Sequence, residues 1–191
     1  MRLILASGSR YRRELLGRLG IPFEVRAPHV DESALPREAP PDLALRLAIS
    51  KARAGGAGCD DALVIGSDQV ADYNGEIVGK SGDFAEAKRQ LMAISGKTAQ
   101  LYTGLAVLNT RTGSLQTTVE RFGVAFRTLS EACIERYLER EQPYDCAGSV
   151  KSEGLGIALL ERFEGDDPTT LIGLPLIRLV RMLENEGMPV V

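Results

Sequence analysis

The chain has 191 residues, 44% hydrophobic and 26% charged, with 23 Lys and Arg against 26 Asp and Glu for a formal net charge of −3. That length suits a single domain over 1–191, built as one unit or as two closely packed lobes, able to bury about 70% of its unfolded surface. The slightly acidic balance excludes broad coating of a nucleic acid polymer or an anionic membrane, so any basic site must be local.

Cys59, Cys133 and Cys146 are odd in number and show no close pairing, which excludes a disulfide framework and a cysteine-built metal centre. The single His29 excludes a multi-histidine zinc site, and its proline-flanked loop argues against a Ser–His–Asp triad. The opening MRLILAS is too short an apolar run for a secretory signal, and no later segment has the length of a bilayer span. A cytoplasmic protein with reduced thiols is expected, whose chemistry comes from carboxylates, lysine, arginine and water.

The first element is an apolar strand over Leu3-Ile4-Leu5, which runs through Ala6-Ser7-Gly8-Ser9 into a helix opening with Arg10, Arg12 and Arg13. Small residues let backbone approach an anion, the first helical N–H groups lack intrahelical partners, and Arg offers a planar fork of donors. The segment therefore reads either as a phosphate seat or as an ordinary turn capped by Ser9 with solvated arginines. A short strand over Phe23-Glu24-Val25 follows, then a proline-marked loop carrying Asp31 and Glu32. Asp42 is placed to cap a helix whose apolar spacing runs through Leu43, Leu47 and Ala48, delivering Lys51 before Gly55-Gly56 stops it.

Ala62-Leu63-Val64-Ile65-Gly66 reads as a strand buried on both faces, with Asp68 at its exit, where open α/β sheets place their sites. Asn74-Gly75 predicts a hairpin that returns the chain to Gly79-Lys80 and brings Lys80 toward Asp68. A helix capped by Asp83 and running through Leu91, paired strands Ala99–Leu108 and Leu115–Phe126, and a helix from Ser130 to Arg140 follow. The chain then reads as irregular structure over 144–149, a strand near Ile157–Leu160 and a last helix begun by Asp167-Pro168. Strands alternate with helices without a repeat, which predicts an α/β fold.

Two nucleotide motifs fail on spacing. Ser95-Gly96-Lys97-Thr98 lacks the glycine that a P-loop needs five residues before Gly96, and Gly154 with Gly156 does not complete a dinucleotide fingerprint. Glu32 and Asp68 are candidate hard-oxygen ligands for magnesium, although loop carboxylates are more often solvated. The run Lys151–Gly156 suits close approach to a ligand or a plain turn. Asp167 is sufficiently explained as a cap.

Taken together, Ser7-Gly8-Ser9-Arg10-Tyr11-Arg12-Arg13, Asp31-Glu32, Leu47 to Ala52, Gly66-Ser67-Asp68-Gln69, Gly79-Lys80, Tyr102-Thr103-Gly104, Ala147 to Gly154 and Asp167 to Pro175 resemble the Maf family of nucleoside triphosphate pyrophosphatases. The resemblance covers essentially the whole chain. It implies an inosine-triphosphatase-like α/β fold, with an elongated mixed sheet and two lobes around a central cleft that holds substrate. It also implies cleavage of a nucleoside triphosphate to monophosphate and pyrophosphate. In that reading Ser7, Ser9, Arg12, Arg13, Lys51 and Lys80 hold the phosphates. Glu32 and Asp68 place a divalent cation, magnesium with manganese or cobalt as alternatives, and Asp68 is the general base.

Within the family, Tyr11, Gln69 and Glu153 resemble the specificity trio of the branch acting on 7-methyl-GTP, with dTTP/UTP hydrolysis the alternative. An aromatic face attracts the cationic base, and a carboxylate accepts from its N1–H and exocyclic amine. A non-catalytic regulator of septum formation and a nucleotidyltransferase stand as rivals, and a homodimer stays open. Arg10 departs from the proline usual there, and Tyr11 stands where a close relative has tryptophan, the better partner for a cation.

Overall fold

The computed structural model describes residues 1–191. Its elements in chain order are β1 (Arg2–Leu5), α1 (Arg10–Gly17), β2 (Glu24–Val25), α2 (Pro40–Gly56), β3 (Ala62–Tyr73), β4 (Glu76–Val78), α3 (Phe84–Ile94), β5 (Thr98–Asn109), β6 (Leu115–Phe126), α4 (Glu131–Glu141), β7 (Leu160–Glu164), α5 (Pro168–Ile172) and α6 (Leu176–Asn185). The strands form one mixed seven-stranded sheet in the order β2-β1-β3-β5-β6-β7, with β4 paired to β3. β1 is parallel to both β2 and β3, whereas the β3–β4 and β6–β7 pairs are antiparallel. The expected mixed α/β architecture is borne out.

The chain divides into two compact units, one of Met1–Gln69, Tyr102–Glu120 and Asp167–Val191, the other of Val70–Leu101 and Arg121–Asp166. In the first, the period-two geometry of a strand sends alternate side chains to opposite faces. Leu3, Leu5, Leu63, Ile65, Leu105 and Val107 pack with Leu15 and Leu16 of α1 and with Leu179, Met182 and Leu183 of α6. Ile4, Ala6, Ala62 and Val64 point the other way. Both faces are covered, which is why these strands read as unbroken apolar runs.

Helix α2 lies against the sheet through small residues, Ala48 and Ala52 packing on Ala106. A Cβ on Gly66 would come within 2.1 Å of the Ala48 carbonyl oxygen, and one on Gly104 within 2.2 Å of that of Ala44. Helix backbone therefore touches strand backbone at two points.

In the second unit the hairpin at Asn74-Gly75 forms as expected, with φ of 57° and 90° at the turn and Ala71 opposite Val78. Asp83 and Ser130 cap α3 and α4 through the N–H groups of Glu86 and Cys133. The rejected P-loop run is the turn between α3 and β5, where Gly96 has φ of 71° and Lys97 Nζ donates to the Ala93 carbonyl at 2.8 Å.

Four expectations need correction. Helix α2 begins at Pro40 with Ala39 as its cap, because two prolines at the first helical positions lack only N–H groups that would be unpaired there anyway. Asp42 therefore lies within the first turn, and Gly55-Gly56 are still helical. Strand β3 does not end at Asp68 but runs on to Tyr73, where β4 pairs with Ala71–Tyr73 beyond the last β1 partner, Ile65. The segment Leu155–Leu159 is a 3₁₀ turn, and its strand starts only at Leu160. The last helix is two helices, separated where Gly173 takes φ of 107° and Pro175 restarts the chain.

Candidate active site

At the end of β1 the chain turns through Ala6–Ser9 into α1, and two serines organise this turn. Ser7, buried, accepts from the Ser9 N–H at 3.2 Å and from Arg12 Nη1 at 3.4 Å. Ser9 caps α1 by accepting from the Arg12 N–H at 3.4 Å. Arg12 Nε donates to the Gly173 carbonyl at 2.8 Å, so the guanidinium is held at both ends. Burial pushes Arg12 below the usual arginine range, and attraction to Asp68 and Glu32 opposes that shift. Arg13 is exposed on the same helix. Arg10 lies 4.7 Å from the centre of the Tyr11 ring and donates to its hydroxyl at 2.7 Å.

Lys51 is the meeting point of the carboxylates. The close seat of α2 on Gly66 places Lys51, 7% exposed, beside Asp68, 9% exposed. Its Nζ lies 2.6 Å from Asp68 Oδ1 and 2.6 Å from Glu32 Oε1. The Glu32 side chain is 61% exposed, so the cluster opens to solvent on that side.

The loop bearing Glu32 is folded back on α2 by Arg46. That residue forks onto Glu38 at 2.6 and 2.8 Å and donates to the Ser33 carbonyl at 2.8 Å. Arg46, with the Leu35 N–H, pulls the Glu38 carboxyl down to about 2. Asp31 accepts from the Ser33 N–H at 2.9 Å, which holds its carboxyl below the usual range, so it serves the turn.

Gln69 spends its amide on α5, with Nε2 at 2.8 Å from the Thr170 carbonyl, 3.2 Å from that of Leu171 and 3.0 Å from Thr103 Oγ1. Sequence reasoning gave no role to Ser67, whose fully buried hydroxyl shares its proton between the Gly104 and Gly173 carbonyls at 2.9 Å each. The signal available for it was a glycine and a serine interrupting an apolar strand, a mark of close backbone approach. Asp167 is structural, as expected, accepting from Thr169 N–H and from Ile177 N–H at 2.8 and 2.9 Å.

Within the first unit, Ser7, Ser9, Arg12, Glu32, Lys51 and Asp68 thus form one connected set, and Gln69 joins it through α5 and Gly173. Lys80 and Glu153 belong to the second unit. There Lys80, exposed, pairs by its backbone with Ala147, and Gly79 accepts from the Gly148 N–H at 3.2 Å. Buried Tyr73 and Tyr137 donate to the carbonyls of Gly148 and Ser149 at 2.9 and 3.2 Å, and burial pushes both phenols up. Glu153 is exposed on the turn that follows.

No group of three His, Cys, Asp or Glu converges anywhere in the chain. Glu32 and Asp68, each with one oxygen on the same point, match the one or two carboxylates that magnesium takes when water and phosphates complete its shell. No helix is long and apolar enough to cross a membrane.

A family model described as Maf-like protein matches residues 2–186. Among known proteins, the chain is 56% identical over 188 residues to a 7-methyl-GTP pyrophosphatase of Nitrosococcus oceani, covering 98% of this chain and 94% of the relative. It is 56% identical, with the same coverage, to one of Thiobacillus denitrificans. It is 54% identical to one of Pseudomonas savastanoi, covering 98% of both chains.

Proposed function

The chain belongs to the Maf family, and from that premise we propose that it hydrolyses 7-methyl-GTP to 7-methyl-GMP and pyrophosphate, keeping the modified nucleotide out of RNA. The observation that carries this reading is the triad in which Lys51 holds Glu32 and Asp68 at 2.6 Å each, next to the anchored Arg12. Phosphoryl transfer needs positioned cations, an oriented water and a base, and this cluster holds a fixed guanidinium, an ammonium and two carboxylates.

In the proposed reaction Arg12, Arg13, Lys51 and Lys80 bind the triphosphate, with Ser7 and Ser9 shaping the turn beneath it. Asp68 commits Oδ1 to Lys51, which leaves Oδ2 to take the proton of the attacking water. Glu32 and Asp68 are the residues to hold a divalent cation, magnesium with manganese or cobalt as alternatives. When bound, it supplies charge neutralisation on the phosphates. Tyr11 stacks on the cationic base and Glu153 accepts from its edge. Gln69 acts by holding α5, with Oε1 available to the ligand. Three free cysteines fit a reducing, cytoplasmic setting.

The test is pyrophosphate release from a panel of triphosphates with magnesium. The expected result is preference for 7-methyl-GTP over GTP, dTTP and UTP, with Asp68→Asn losing about 10²–10⁴-fold in turnover while keeping nucleotide affinity. Preference for dTTP or UTP would refute the substrate.

A further inference from the structure

We propose that Lys51 is a resident placeholder cation, whose ammonium occupies the point on which Glu32 and Asp68 converge and yields it to a divalent metal only when a triphosphate draws the ammonium away. The proposal rests on the reading of this cluster as a triphosphate site.

Geometry is the first argument. Nζ is 2.6 Å from Glu32 Oε1 and 2.6 Å from Asp68 Oδ1, so the ammonium stands between the two carboxylates that would hold a divalent cation. The two cations cannot share that position.

Charge is the second. Arg12 and Lys51 balance Glu32 and Asp68 within the cluster, with the ammonium buried and the guanidinium half-buried. A divalent ion entering alone would leave uncompensated positive charge beside a buried ammonium and a half-buried guanidinium, which is costly away from bulk water. A triphosphate supplies the missing negative charge and gives the displaced ammonium a new partner.

Mobility decides which cation moves. Arg12 is pinned by Gly173 and Ser7, whereas lysine carries a point charge on a flexible four-carbon stem, and the exposed Glu32 leaves the cluster open on one side. The metal and the nucleotide therefore enter together, and Lys51 changes from carboxylate partner to phosphate partner in that step.

The test uses the full-length, nucleotide-free protein and follows free Mn²⁺ by its electron paramagnetic resonance signal. Lys51→Met and Lys51→Gln should each bind Mn²⁺ about tenfold or more tightly than the wild type, since affinity at such sites follows ligand charge. Mn²⁺ alone should raise the melting temperature of the variants and leave that of the wild type unchanged. Adding Asp68→Asn to Lys51→Met should remove the gain. Equal Mn²⁺ affinity in wild type and folded variants would overturn the proposal, leaving Lys51 a plain salt-bridge partner.

Should the variants not fold, the wild type decides. Its Lys51 ammonium ¹⁵N resonance, assigned by its response to Asp68→Asn, should hold with Mg²⁺ alone and move only when Mg²⁺ is added with an α,β-methylene triphosphate analogue. Movement with Mg²⁺ alone overturns the proposal. Pyrophosphate release by the same wild-type preparation separates the two readings. Release without a gain of affinity in the variants sinks the placeholder and keeps the function. A gain of affinity with no release from any triphosphate sinks the function and keeps the placeholder.

Discussion

Arg10 closes over the Tyr11 ring at 4.7 Å and bonds its hydroxyl, so the aromatic face assigned to a cationic base already faces a cation of the protein itself. A cation over an exposed ring gains about 0.5–1 kcal/mol, which any incoming base must match or displace. Arg10→Ala is therefore expected to lower the KM for 7-methyl-GTP by about 2–5-fold and to leave that for unmethylated GTP nearly unchanged, because only the methylated base carries the competing charge. Steady-state kinetics on both nucleotides checks this. A rise in KM for both would instead make Arg10 a phosphate contact.

Among the elements, α2 governs the cluster, because it brings Lys51 to Asp68 only by lying on two glycines of the sheet. Added methyl groups at Gly66 or Gly104 would meet helix backbone at 2.1 and 2.2 Å, which forces helix and strand apart. Gly66→Ala and Gly104→Ala should each destabilise by about 1–3 kcal/mol, read by chemical denaturation, and should also cut turnover by separating Lys51 from Asp68.

The same helix anchors the loop of Glu32 through Arg46, which holds the Glu38 carboxyl at about 2 against an ordinary 4.5. A lowered carboxyl stabilises above its ordinary value and loses that contribution as pH falls through the lowered one. Amide exchange over residues 26–39 should thus stay slow at about pH 4 and quicken only toward pH 2, while Arg46→Ala moves the opening up to the ordinary carboxylate range.

These elements also show what the sequence could and could not convey. The apolar run Leu63–Ile65, the Asn74-Gly75 hairpin and the caps Ser9, Asp83 and Asp167 are local signals, each satisfied by residues a few positions away, and all were legible. That the apolar run and the first strand of that hairpin are one continuous strand through Asp68 was not, since nothing near Asp68 in the sequence marks the join. The residue types of the cluster could be named from motifs. The salt-bridged triad could not, because it joins Glu32, Lys51 and Asp68 through a contact between helix and strand backbones that only glycine permits.

At the scale of the whole molecule, β3, β5 and β6 each run from one compact unit into the other, so unfolding either unit breaks strands that continue into its neighbour. Calorimetry should show one transition, with an enthalpy of about 130 kcal/mol near 60 °C at the usual 0.7 kcal/mol per residue. Two resolved transitions would contradict this.

The first unit is also assembled from three separate stretches of chain, and the last of them supplies the Gly173 carbonyl on which both Arg12 and Ser67 rest. A ribosome must therefore continue 161 residues past Arg12 before that guanidinium can be aimed. Copies cut short of Gly173 would carry every proposed phosphate ligand and still hold Arg12 at one end only, by Ser7.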